Sequence, residues 1–301
     1  KDGTADTAKP VLGGELKYAL EAETSGGWCL AEAQLAASGI QVANAIYDPL
    51  FAFDKDFKPQ PYLAESFSWN PEYTALTVKL RDGVKFHDGT PLTSDVVKLN
   101  FDVARGDADA KAKTGLNSLL FIFVYQDIAS IDAPDPLTVV FNTKRPWATL
   151  PEFLAGGRNG IVGMSQLMAG ADGCKNTFNG TGPFKVDSWT PNKEMKLSKN
   201  PNYWRKDKDG VQLPYLDKIT FKVIEDSQTA EQALQDGNID ITSTSSSSVI
   251  ADFRKTPDKF PMTEQSTYTE TNYILIDLAK AGPTSDARFR CALSKAIDRQ
   301  E

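Results

Sequence analysis

The segment LTVKLRDGVKFHDGTPLTSDV at positions 76–96 predicts more of the fold than any other stretch of the chain. Apolar and polar residues alternate over 73–81, as expected for a strand with one buried face. The sequences at 82–83 and 87–91 are typical of turns, and Thr93, Ser94 and Asp95 offer capping oxygens and a carboxylate for the start of a helix. The segment therefore predicts a strand, two turns and a helix in succession.

The same alternation of strands and helices extends outward in both directions. Residues 13–23 alternate as a strand, and 31–47 carry apolar residues at helical spacing. Strands that alternate with helices are typical of an α/β protein. Further strands are expected at 128–131, 137–142, 184–189, 195–198, 219–224, 239–241 and 273–278, and further helices at 148–155, 164–168, 227–235, 288–297 and within the polar run that begins near 245.

The composition excludes some classes of partner. The chain has 301 residues, 41% of them hydrophobic and 24% charged, which is an ordinary globular balance with room for about two domains. The formal net charge of -7 and the lack of a basic patch argue against nucleic acid as a partner, because phosphate binding needs clustered Lys and Arg.

No stretch approaches the roughly 18 apolar residues that would predict a membrane span. Residues 1–10 are small and polar, which predicts a flexible linker or a frayed terminus.

Three cysteines occur at positions 29, 174 and 291, and none belongs to a CxxC pair, which argues against a zinc ribbon or a thioredoxin-like site. Cys29 and Cys174 lie in loop-like contexts, whereas Cys291 lies within an apolar helical pattern. We therefore expect a Cys29–Cys174 disulfide in an exported chain, with Cys291 as a small buried hydrophobic residue. Three unpaired thiols are the alternative.

Candidate catalytic motifs are few. His87 is the only histidine, so a Ser-His-Asp triad would have to use it, but its position in a tight turn favours a structural role. A single histidine also excludes a metal site built from several histidines. Gly180-Thr181-Gly182-Pro183 lacks the lysine of a phosphate-binding loop and precedes a strand, so we expect a turn whose glycines allow unusual backbone angles. No cofactor is expected.

Several motifs, taken in order along the chain, resemble the bacterial extracellular solute-binding proteins of family 5, which serve peptide, nickel and some sugar importers. The segment 76–96 is close to a signature of that family and is the most specific match. The other matches are PYLAESFSW at 61–69, GTGPF at 180–184, NPNYW at 200–204, LDKI at 216–219, ALQDGNID at 233–240 and DARFRCALSKAIDR at 286–299.

The resemblance implies an α/β fold of the periplasmic-binding-protein-like class II, in which two lobes close over a ligand. Family members continue well beyond the last of these motifs, so it also implies a truncated chain with most of the second lobe missing. The expected organisation is a core domain of lobe I at 11–48 and 178–268, an inserted subdomain at 49–177, the start of lobe II at 269–301 and a linker at 1–10.

By the same resemblance, the protein would capture a peptide-like or other small polar solute outside the cell or in the periplasm and deliver it to the permease of an ABC importer. It would be a monomer and not an enzyme, attached to the membrane only through an N-terminal lipid anchor. The resemblance does not separate oligopeptide, dipeptide, sugar and metal-complex ligands. An isolated first lobe is expected to bind weakly or not at all, because half of the cleft is absent.

Two other functions remain open from the residues alone. A secreted hydrolase could use the carboxylates of Glu21 and Glu23, which are two positions apart and so share a strand face, but the chain has no G-x-S-x-G nucleophile elbow. A scaffold or adhesin could use the same fold without transport. Turnover assays on peptides and glycans would test the hydrolase.

The resemblance also places the loop after the first strand at the ligand cleft. Carboxylates and hydroxyl groups can hydrogen-bond a polar solute, and an indole can stack on it. A capped loop with a packed tryptophan is the alternative for this segment. The expected ligand-facing residues are Glu23, Thr24, Ser25 and Trp28 in this loop, Thr242 and Ser243 at a lobe crossing, and Asn272 and Tyr273 on the opposite crossing strand.

Overall fold

The computed structural model describes residues 9–23, 26–119, 122–263, 276–278 and 282–297. The chain divides into two compact units, Lys1–Ile250 and Ala251–Glu301. The strands are β1 Glu15–Leu20, β2 Phe51–Phe53, β3 Pro59–Pro61, β4 Ala64–Trp69, β5 Ala75–Leu80, β6 Ile128–Asp135, β7 Thr138–Thr143, β8 Phe184–Thr190, β9 Glu194–Lys199, β10 Lys218–Val223 and β11 Ile241–Thr242.

Helices lie between β1 and β2, β5 and β6, β7 and β8, and β10 and β11, and others follow β11. Several predicted helices are found with bounds close to those expected, including the one that begins after Thr93. The α-helices are α1 Ala37–Ile46, α2 Ser94–Ala104, α3 Ala108–Thr114, α4 Ile122–Tyr125, α5 Leu150–Leu154, α6 Met164–Met168, α7 Gly170–Asn176, α8 Ser227–Gln235, α9 Ser247–Phe253 and α10 Ala287–Ala296, and a 3-10 turn covers Pro283–Ser285.

Two larger sheets organise the first unit. A mixed sheet has the strand order β11-β1-β10-β9-β8, in which β1 runs parallel to both β10 and β11 and the other neighbours are antiparallel. A second sheet, β4-β5-β7-β6, is antiparallel throughout, and β2 pairs with β3 in a short hairpin. The mixed sheet thus joins a strand from the start of the chain to strands that come after the antiparallel sheet.

Two hydrophobic cores correspond to these sheets. One contains buried residues of β1, α1 and β8 to β10, among them Ile46, Leu197 and Phe221. The other contains β5, β7 and the apolar face of α2, with Val78 and Phe141 excluded from solvent. The domain boundaries expected from the sequence remain a prediction.

The turn at Gly180-Thr181-Gly182-Pro183 requires its two glycines because the backbone there is closely packed. A Cβ atom on Gly180 would lie 2.0 Å from the Ile46 carbonyl oxygen, and one on Gly182 would lie 2.6 Å from it. Neither glycine has a positive φ, so the unusual backbone angles expected from the sequence are not the reason for these residues. The backbone of this turn lies directly against the end of α1, where any side chain would clash.

Three local expectations need correction. Helix α1 begins at Ala37 rather than near 31, because the Cys29 carbonyl accepts hydrogen bonds from the backbone of Glu32 and Ala33 and holds that segment in a turn. The Thr93 side chain makes no cap bond to α2. Cys291 is exposed and not buried as expected. Among the described residues of α10 none is buried, so the apolar face of this helix does not pack into a core there.

Candidate ligand-binding site at the carboxyl edge of the parallel strands

The parallel strands of the mixed sheet end at a common edge. Because β1, β10 and β11 run in the same direction, the residues that follow them, 21–23, 224–226 and 243–245, lie at that edge. Ligands of open α/β sheets commonly bind outside the carboxyl ends of parallel strands. This edge, which we call the carboxyl edge, is therefore the candidate site.

The short strand β11 is anchored to β1 just before the edge. The Lys17 backbone N–H donates to Asp240 Oδ2 at 2.7 Å, and the Asp240 N–H donates to the Lys17 carbonyl at 2.8 Å. The register then places Thr242 opposite Ala19. Thr242 is partly buried and the next residue, Ser243, is exposed, so the predicted residue Ser243 lies at the carboxyl edge and is accessible.

A polar cluster at this edge contains two residues that the sequence did not predict. The partly buried Tyr18 lies near the polar side chains of Ser243 and Gln41. Burial is the main reason that the pKa of Tyr18 is raised; the neighbouring Ser243 and Gln41 side chains act in the opposite direction, and the charge of Glu21 raises it further. The sequence could have indicated Gln41 only as a polar residue within the apolar pattern of α1.

Glu23 fixes the loop that follows β1. Its carboxylate accepts a hydrogen bond from Trp189 Nε1 at 2.8 Å and another from the Asn192 backbone N–H at 2.5 Å. Asn192 lies in the β8–β9 turn with φ near 57°. Both carboxylate oxygens are thus engaged with the β8–β9 hairpin. Thr24 and Ser25 lie outside the described residues, as do Asn272 and Tyr273.

Trp28 is placed in the core rather than at a ligand surface. Its side chain is 1% exposed and meets the ring of Trp189 edge-on, with centroids 6.0 Å apart. An indole packed in this way has no free face for a solute, so the predicted stacking role does not fit this conformation. The packed tryptophan considered as the alternative is the arrangement observed.

The backbone beside Trp28 is clamped onto α7. Cys29 and Cys174, the pair favoured by the sequence, form a disulfide with a Cα–Cα distance of 4.6 Å, and the Trp28 N–H donates to the Cys174 carbonyl at 2.7 Å. Gly27 has a φ of +79°, and a Cβ there would lie 2.5 Å from the Cys174 carbonyl oxygen. The fully buried Gln166 donates to the Trp28 carbonyl. This end of the loop is therefore held rigidly.

His87 lies within a backbone turn and has a structural role. Its Nε2 is 3.0 Å from the Gly182 carbonyl oxygen, and its Nδ1 accepts from the Gly180 N–H at 3.4 Å. Nε2 can donate and Nδ1 accept only in the neutral imidazole. Burial, with a smaller contribution from the Lys185 charge, lowers the pKa of His87 to about 4.

We predict that His87 destabilises the fold in acid. Its pKa is lower in the folded chain than the usual unfolded value of about 6.5, so below that pH the unfolded chain binds a proton that the folded chain does not. From pH 7 to 4 the H87Q variant, which keeps a donor and an acceptor, should gain up to about 3 kcal/mol of unfolding free energy relative to the parent. Urea unfolding at several pH values measures this gain, and a difference that does not change with pH would refute it.

Neither a metal centre nor a membrane-crossing helix is evident in the described part of the chain. Within it, no three side chains among His, Cys, Asp and Glu are grouped so as to hold a metal ion. Its helices are also too short or too polar to cross a bilayer. The carboxyl edge remains the strongest candidate for a binding site.

The sequence of residues 58–301 matches the family described as bacterial extracellular solute-binding proteins, family 5 Middle. The chain belongs to this family. Its members are binding proteins rather than enzymes, which argues against the hydrolase alternative. The resemblance predicted from the motifs is confirmed.

Individual relatives agree with this assignment. The glutathione-binding protein GsiB of Escherichia coli K12 is 33% identical over 196 residues, which are 65% of this chain and 36% of that protein. The structure of AgaA from A. tumefaciens R10 in complex with agropinic acid has a TM-score of 0.70 at 32% identity, covering 81% of this chain and 46% of AgaA. AppA of Bacillus subtilis, in complex with a nonapeptide, has a TM-score of 0.69 at 28% identity, covering 84% and 47%.

These matches confirm the predicted fold class. The α/β fold matches class II periplasmic binding proteins over roughly half of their length. The chain spans between about a third and a half of the relatives that it matches.

Proposed function

We propose that this chain is part of the substrate-binding component of an ABC importer. It captures a peptide-like or other small polar solute outside the cell or in the periplasm and delivers it to the membrane permease. The carboxyl edge forms one side of the binding cleft, with Ser243 and the Tyr18 hydroxyl among the groups that meet the solute. The protein acts as a monomer and uses no cofactor, and an N-terminal lipid anchor would be its only attachment to the membrane.

The observation that carries this proposal is the polar cluster at the carboxyl edge of a family 5 fold. Ser243 is exposed there and lies near the partly buried side chains of Tyr18 and Gln41. The three relatives described above are named with glutathione, agropinic acid and a nonapeptide, ligands that carry amide, amino or carboxylate groups. Hydroxyl and amide side chains are suited to such groups because they both donate and accept hydrogen bonds.

The protein, in the form in which the cell produces it, should bind at least one solute from a panel of glutathione, agropinic acid, di- and oligopeptides and nickel–histidine. Titration calorimetry and ligand-dependent melting measure this binding. The substitution Ser243→Ala should weaken it by about 2- to 12-fold, the value of one hydrogen bond. Ser66→Ala, which alters another exposed serine on β4, should leave the affinity unchanged. Failure of every solute to bind would overturn the proposal.

A further inference from the structure

A cavity of about 310 Å³ opens at the end of the mixed sheet that lies opposite the carboxyl edge. It borders the first residue of β8, Phe184, and the segment 213–216 that leads into β10. Because β10 has six residues, a strand length of about 20 Å separates the cavity from the carboxyl edge. Its volume is within the range of pockets that hold small organic ligands.

Most of the cavity wall is apolar. It is formed by Pro183, Phe184, Leu213, Pro214 and Leu216, together with aromatic rings. Leu213 is partly buried and belongs to neither of the two hydrophobic cores. The apolar part of a ligand would gain free energy by leaving water for such a wall.

One cationic group lies in this apolar wall. Among the described residues that line the cavity, Arg205 is the only charged one. Its Nη1 donates to the Tyr62 hydroxyl at 2.7 Å. The guanidinium carbon is 4.6 Å from the centre of the Tyr62 ring and 5.8 Å from that of the Trp204 ring. These contacts hold the guanidinium in place and leave its charge unneutralised.

A chain of hydroxyl groups joins Arg205 to the buried Asp48. The Tyr203 hydroxyl donates to Asp48 Oδ1 at 3.3 Å and lies 3.0 Å from the Tyr62 hydroxyl. A hydroxyl group has one proton to donate. Since Tyr203 donates its proton to Asp48, Tyr62 donates to Tyr203 and accepts from Arg205. Asp48 is therefore reached from Arg205 only through two hydroxyl groups.

The guanidinium keeps most of its donors for a ligand. Its bond to Tyr62 uses one of five N–H groups. Within the described part of the chain, no carboxylate forms an ion pair with Arg205. A partly buried arginine without a carboxylate partner suits a ligand that supplies one.

The cavity is preformed by a hairpin-like segment that carries both Arg205 and Leu213. The Leu213 N–H donates to the Arg205 carbonyl at 3.2 Å, and Gln212 Nε2 donates to the same carbonyl at 2.8 Å. The hydroxyl of Tyr215, another lining residue, donates to Asp207 Oδ2 at 2.6 Å. A wall tied in this way loses little freedom when a ligand binds.

We propose that this cavity binds a small apolar carboxylic acid in its ionised form. The carboxylate accepts hydrogen bonds from the remaining N–H groups of Arg205, whose planar fork matches two carboxylate oxygens. The carbon skeleton, a phenyl ring or a short alkyl chain, packs on Leu213 and the rest of the apolar wall. The site is separate from the carboxyl edge, so the inference goes beyond the proposed function.

The test compares 3-phenylpropionate with its amide, 3-phenylpropanamide, in the protein as the cell produces it. The two probes share one carbon skeleton, so a difference in affinity reports the carboxylate. Calorimetry and ligand-observed NMR should show that the acid binds at least about 10-fold more tightly, because hydrogen bonds between charged groups are the stronger class. Equal affinity of the two probes, or no binding of the acid, would overturn the proposal.

Variants locate the bound acid. Arg205→Gln should weaken binding of the acid by about 10-fold and leave the amide unaffected. Arg145→Gln removes the same charge from an exposed arginine that follows β7 and should change neither affinity. Leu213→Ala shortens the apolar wall and should weaken both probes alike, by about 5-fold. Unchanged affinity for the acid in Arg205→Gln and Leu213→Ala would show that it binds elsewhere.

Failure of this inference can be told apart from failure of the proposed function. Ser243→Ala, at the carboxyl edge, should leave the affinity for 3-phenylpropionate unchanged, and the solutes of the panel should not displace this acid. Displacement would place the acid at the carboxyl edge and overturn the second site. If no panel solute binds, the proposed function falls while the comparison of acid and amide still decides this site. That comparison uses the parent protein, so it holds even if Arg205→Gln does not fold.

Discussion

Replacing both Cys29 and Cys174 by alanine is expected to lower the free energy of unfolding by up to about 5 kcal/mol. The disulfide joins residues 145 positions apart, and in the chain-entropy model a cross-link of this span restricts the unfolded chain by about that amount. Both cysteines are almost completely buried, so the variant also loses the packing of two buried sulfur atoms. Urea unfolding of the oxidised parent and of the variant measures the difference.

Cys291 offers a matched control for this experiment. It is a free, exposed cysteine, and Cys291→Ala should change the unfolding free energy by less than about 0.5 kcal/mol, as surface substitutions usually do. If the double variant were as stable as this control, the disulfide would contribute nothing to the stability of the fold.

Replacing Asp48 by alanine is expected to cost about 3 to 5 kcal/mol. The carboxylate is 2% exposed and accepts hydrogen bonds from Trp204 Nε1 at 2.8 Å, Thr181 Oγ1 at 3.1 Å and the Tyr203 hydroxyl at 3.3 Å. Alanine leaves these donors without their acceptor in a buried site, and each unpaired buried donor costs about 1–3 kcal/mol. Denaturant unfolding at pH 7 tests this value.

The substitution Asp48→Asn separates the hydrogen bonds from the charge. Burial raises the pKa of Asp48 to about 6, so the folded chain binds a proton between about pH 6 and 4 that the unfolded chain lacks. The parent should therefore gain about 2 kcal/mol relative to D48N as the pH falls from 7 to 4, the opposite sign to the effect of His87. At pH 7, D48N should stay much closer to the parent than D48A does. Equal losses of unfolding free energy in D48A and D48N at pH 7 would show that the donors Trp204, Thr181 and Tyr203 do not need an acceptor oxygen at position 48.

Local pattern was enough to predict much of the secondary structure. The alternation around Leu76 and Val78 predicted β5, and the residues from Ser227 to Gln235 predicted α8 with its observed bounds. These predictions succeed because burial of one face imposes a period on the sequence itself. Family motifs then supplied the fold class, which local pattern alone could not provide.

The contacts that define the site depend on residues far apart in sequence. Tyr18 meets Ser243 only because β1 and β11 are neighbours in the mixed sheet, and Asp48 meets Trp204 across 156 positions. Trp28 was expected to face the solute because the family resemblance places the loop after the first strand at the cleft, yet its indole packs on Trp189. These contacts could not be predicted from the periodicity of the sequence, because they depend on how distant segments pack together in the folded chain.

The pairing of β1 has a consequence for the order of folding. Each residue of β1 pairs with a residue of β10 that lies about two hundred positions later, and such long-range pairing closes slowly. The antiparallel sheet, whose strands all fall between Ala64 and Thr143, can assemble from a much shorter length of chain. During synthesis β1 therefore remains without its sheet partner until β10 has been made, whereas the antiparallel sheet can already have formed by then.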